Sequence, residues 1–67
     1  MHLFEARARK RFTQWDIRLA TGIHQSKLSL IERGYVKPSN EEKEALAGAL
    51  GVSIDEIQWP ELEAARQ

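Results

Sequence analysis

Three glycines divide this chain, and each follows a stretch that reads as a short helix: Gly22, Gly34 and Gly51. Glycine enters the left-handed backbone region at little cost and is therefore common just past a helix C-terminus. Capping residues stand at the opposite ends. Thr13 precedes the second stretch, Ser39 and Glu42 have the spacing of a capping box, and Ser53 and Glu56 repeat it. This punctuation predicts an all-α, compact five-helix bundle without strands. The first helix runs from about residue 2 to residue 11 and offers Leu3, Phe4, Ala8 and Phe12 to a core. The second runs from Gln14 to about Thr21 and stops at Gly22. His24 and Gln25 open the third, in which Leu28 and Ile31 face inward, and Gly34 ends it. After a loop at residues 35–38, the fourth helix places Leu46, Ala47 and Leu50 on one face before Gly51. The fifth begins near Ile54 and is cut short by Pro60. A chain of 67 residues has room for one core. One domain is expected over residues 1–67, with its core at about 3–58 and a tail at 59–67, of which residues 61–67 add a turn or fray.

Composition removes several function classes. There is no cysteine, which excludes disulfides and thiolate metal sites, and His2 and His24 are too few for a zinc site. No apolar run approaches the roughly 20 residues that cross a bilayer, and the basic N-terminal stretch lacks the apolar segment of a secretory signal. A soluble, cytoplasmic protein is the expectation. An enzyme is not expected: no nucleophile has a general base beside it, no glycine-rich phosphate loop occurs, and so small a bundle leaves little room for a substrate cavity. No cofactor or small-molecule effector is inferred. The net charge is zero, yet it is unevenly spread. Residues 1–38 hold eight basic against three acidic residues, a net of plus five, and residues 39–67 hold two against seven, a net of minus five. One half can attract phosphate while the other repels it.

Residues 13–34 place two short helices on either side of a glycine turn. That arrangement suits duplex DNA, because the major groove is about 12 Å wide and accepts one α-helix while the preceding helix braces it. An αα-hairpin in any small bundle has the same glycine and apolar spacing. Residue identities add to the geometry. Thr13-Gln14, Gly22-Ile23, Leu28-Ser29, Ile31-Glu32-Arg33-Gly34, Pro38-Ser39, Leu46-Ala47 and Ala49-Leu50-Gly51-Val52-Ser53 together resemble the Cro/CI-type helix-turn-helix family over about residues 3–57. The resemblance implies a lambda-repressor-like DNA-binding domain, a transcriptional regulator acting as a repressor rather than an activator, and a homodimer reading an inverted-repeat operator in double-stranded DNA. It also implies a structural, buried ion pair between Arg7 and Glu32.

For base contact the expected residues are Gln25, able to bond adenine N6 and N7, with Ser26, Lys27, Ser29 and Leu30, the last against a thymine methyl. Thr13, Gln14, Arg33 and Lys37 are expected on the DNA backbone. Trp59 and Leu62, in an apolar cluster with Ile57 and Pro60, are expected to close the bottom of the core or to meet a second subunit. His24 is expected to cap or to lie in the loop. Two departures from the family pattern stand out: Arg18 replaces a small packed residue, with Leu19 on an exposed face, and Arg11-Phe12 replace a glycine-led bend, which predicts altered local geometry there. The alternative reading is a protein-interaction module, or an antitoxin-type partner, presenting Trp15, Leu19 and Trp59.

Overall fold

The computed structural model describes residues 1–59. Helix α1 spans Leu3–Arg9, α2 Gln14–Thr21, α3 Gln25–Glu32 and α4 Asn40–Leu50, and a single 3₁₀ turn follows at Ile54–Glu56. The expected fifth helix is therefore only this turn. It ends where Ile57 becomes extended (φ −99°, ψ 132°) and Gln58 forms an isolated parallel bridge with His2. The Gln58 amide donates to the Met1 carbonyl at 2.6 Å, and the Met1 ammonium donates to the Glu56 carbonyl at 3.0 Å. This pairing draws the chain away from helix. Leu62 and Pro60 lie outside the described residues, among which there is no β-strand.

Among the described residues ten apolar side chains make the core: Leu3 and Ala6 from α1, Ile17 from α2, Ile23 from the turn, Leu28 and Ile31 from α3, Leu46, Ala47 and Leu50 from α4, and Ile57. The first helix turns a different face inward from the one its apolar residues suggested. Phe4 is 53% exposed and Ala8 is exposed, because Leu3, Ala6 and Arg7 lie on the inward face at spacings of three and four. Phe12 is half-buried against the core.

Caps fix where the helices begin. The Thr13 hydroxyl accepts from the Asp16 amide at 3.1 Å, and the Asp16 carboxylate accepts from the Thr13 amide at 2.8 Å. Ser39 and Glu42 exchange the same pair of bonds at 3.1 and 2.9 Å. The ends of α1, α3 and α4 share one geometry. At α3 the Tyr35 amide reaches the Leu30 carbonyl and the Gly34 amide reaches Ile31; at α4 the Val52 and Gly51 amides reach Ala47 and Gly48. Helix α1 ends in the same pattern, with Phe12 bonded to Arg7 and Arg11 to Ala8, and Arg11 takes the left-handed position at φ 60°. Arg11 thus holds at this bend the left-handed backbone that Gly34 and Gly51 hold at the ends of α3 and α4, at the cost of a strained arginine. Helix α1 closes at Arg9 rather than continuing to Arg11 for the same reason.

Candidate nucleic-acid interface

Helices α2 and α3 meet at Gly22, whose φ of 81° ends α2 with a single bond from its amide to the Arg18 carbonyl at 2.8 Å. Thr21 satisfies the rest of the turn: its hydroxyl donates to the Ile17 carbonyl at 2.7 Å and accepts from the Ile23 amide at 3.1 Å. Ile23 is then buried, which fixes the direction in which α3 departs. His24 caps α3, its Nδ1 accepting from the Ser26 amide at 3.1 Å.

Leu28 and Ile31 are fully buried, so α3 is anchored by one face, and at about 100° per residue Ser26, Leu30 and Arg33 lie on the opposite one. Ser26, Leu30 and Arg33 are exposed, and Gln25 and Ser29 flank them half-buried. The structure thus brings four of the five expected base-contact residues to one outward stripe. Lys27 is set apart. It lies toward α4, with Nζ 2.6 Å from Oε2 of Glu42. That contact, with the Ser39 amide, holds the Glu42 carboxyl below its ordinary pKa. Sequence spacing assigns Glu42 its capping role but not its pairing with Lys27, which is tertiary; helical spacing within α3 carries no trace of it.

The residues expected on the DNA backbone are less uniform. Thr13 is exposed with its hydroxyl engaged in the α2 cap, and Lys37 is exposed in the loop before α4. The Arg33 guanidinium lies 5.4 Å from the ring centroid of Tyr35, an exposed aromatic that the sequence reading did not single out. Gln14 is half-buried, and its Nε2 donates to Glu32 at 3.2 Å, leaving one amide hydrogen for a further acceptor. Glu32 also accepts from Arg7 Nε at 2.8 Å and Arg7 Nη2 at 3.3 Å. Side-chain exposures of 21% for Arg7 and 9% for Glu32 make this pair partly rather than wholly buried. It joins α1, α2 and α3 through one carboxylate.

The apolar residues divide. Arg18 lays its guanidinium 5.0 Å from the Trp15 ring centroid, so its head group is occupied on the surface of α2. Trp15 remains 48% exposed and Leu19 69% exposed. Trp59 instead packs against its own core, with Nε1 donating to the Ile54 carbonyl at 3.2 Å and Lys43 over its ring. Among the described residues no helix is long and apolar enough to cross a membrane, and no group of three metal-ligating side chains occurs.

A protein-family model described as helix-turn-helix matches residues 3–57, which takes in all four helices and the 3₁₀ turn. No curated protein and no solved structure matches the chain.

Proposed function

The chain belongs to the Cro/CI-type helix-turn-helix family, a DNA-binding regulatory family, and from that premise we propose that it reads a specific duplex sequence through the outward stripe of α3. The observation that carries this reading is the stripe itself: Gln25, Ser26, Ser29 and Leu30 stand together on a helix pinned from behind by Leu28 and Ile31. Gln25 bonds adenine, Leu30 meets a thymine methyl, and the two serines take base edges or phosphate. Arg33 and Lys37 supply phosphate contacts, with Thr13 and Gln14 steadying the register. Residues 3–57 act as one DNA-binding domain. Two copies occupy an inverted repeat with half-sites about 34 Å apart, and the bound dimer represses by occupancy.

Binding to labelled duplex across a salt series tests the reading. Two cations on phosphate give a slope of log affinity against log salt of about −1.8 per domain. No binding at low salt overturns it. The exposed Trp15 and Leu19 favour a second reading, a protein-binding face on α2. Such an interface holds its affinity as salt rises, so the slope separates the two.

A further inference from the structure

Lys27 is the third residue of α3, next to Ser26 on the outward stripe, and its side chain is about half exposed (47%). A lysine there has the reach to meet a phosphate. Its ammonium is instead 2.6 Å from Glu42. The carboxylate is placed by a separate cause: Oε1 of Glu42 accepts from the Ser39 amide in the cap of α4, while Oε2 faces Lys27. Glu42 is therefore already in position beside α3 whatever Lys27 does. Among the described residues the ion pairs are Arg7–Glu32 and Lys27–Glu42, and none of the carboxylates described there pairs with Arg33 or Lys37.

We propose that Glu42 withholds Lys27 from DNA phosphate and so lowers sequence-independent affinity while leaving base readout by α3 intact. The inference rests on the DNA-binding role argued above. Non-specific affinity grows with the number of phosphates that cations neutralise, through release of counterions. A lysine already neutralised by a fixed carboxylate releases few. Contacts to base edges are unaffected, so the ratio of specific to non-specific binding rises. In this account the same side chain starts α4 and trims the positive field beside α3.

Glutamine serves in a capping box as glutamate does, so Glu42→Gln removes the charge and keeps the cap. Affinity for a mixed-sequence duplex is measured from 50 to 200 mM salt for the wild type, Glu42→Gln, Lys27→Gln and the double variant. Glu41→Gln, the same change of charge at an exposed neighbour, is the control, and circular dichroism checks that each variant keeps its helices. The expected result is a slope about 0.9 steeper in Glu42→Gln than in the wild type, so that over this fourfold range it loses about 3.5-fold more affinity. Glu41→Gln does not steepen, and the double variant matches Lys27→Gln. An unchanged slope in Glu42→Gln overturns the inference, and so does equal steepening in the Lys27→Gln background, since repulsion by the carboxylate would then act without the lysine. A wild type that fails to bind any duplex overturns the DNA-binding reading together with the inference.

Discussion

Truncating Glu32 to alanine removes a carboxylate that joins three helices. It accepts from Arg7 twice, at 2.8 and 3.3 Å, and from Gln14 at 3.2 Å. Among the described residues Glu32→Ala leaves Arg7 with one partner, the Phe12 carbonyl, 3.0 Å from Nη1. Breaking a buried pair from one side costs about 3–5 kcal/mol, chiefly because the other charge is stranded. Arg7 keeps 21% of its side chain in solvent, so water recovers part of that loss and the expected cost is about 3 kcal/mol. A chain of 67 residues has a total stability of about 3–10 kcal/mol. The variant therefore loses a third or more of it. With a urea slope near 1 kcal/mol per molar, the unfolding midpoint falls by about 3 M. Pairing Glu32→Leu with Arg7→Met removes both charges and recovers most of the loss, because the desolvation cost disappears with them. A loss under about 1 kcal/mol in Glu32→Ala, or a double variant as unstable as the sum of its single changes, would refute the reasoning.

Other expectations follow from backbone and caps. Arg11→Gly relieves a left-handed arginine that costs about 1–2 kcal/mol; after the added entropy of glycine in the unfolded chain, thermal unfolding should report a gain of about 0.5 kcal/mol. Gly22→Ala meets nothing within 4 Å of the added carbon, so its cost is conformational alone, about 1 kcal/mol by the same assay. Glu5 is held below its ordinary pKa first by the His2 amide, and Glu42 by Lys27 and the Ser39 amide. Their contribution to stability is full above the unfolded value of 4.5 and is lost as pH falls through their folded values. The urea midpoint should fall as pH drops below 4.5, and Glu42→Gln should blunt part of that fall.

What was legible in the sequence was whatever local chemistry decides. Thr13, Ser39, Gly22 and Gly51 carry their capping roles in their identities, and the inward residues of α3 and α4 follow helical spacing. Helix α1 was misread for a physical reason. Its inward face continues from Leu3 and Ala6 into Arg7, a charged residue, so apolar spacing pointed to Phe4 and Ala8 instead. The left-handed state of Arg11 is not legible from residue type, because arginine by itself disfavours the backbone that the link between α1 and α2 takes there. Pairing of His2 with Gln58 and of Lys27 with Glu42 joins distant polar residues, and periodicity carries no signal for either.

Selection of bound duplexes from a random-sequence pool at near-physiological salt, run in parallel for the wild type and Gln25→Ala, tests most directly the claim that α3 reads DNA sequence. The account predicts an enriched inverted repeat for the wild type, with preference relaxed in Gln25→Ala at one base pair of each half-site. Enrichment of no sequence by the wild type, or an identical motif from both proteins, would contradict it.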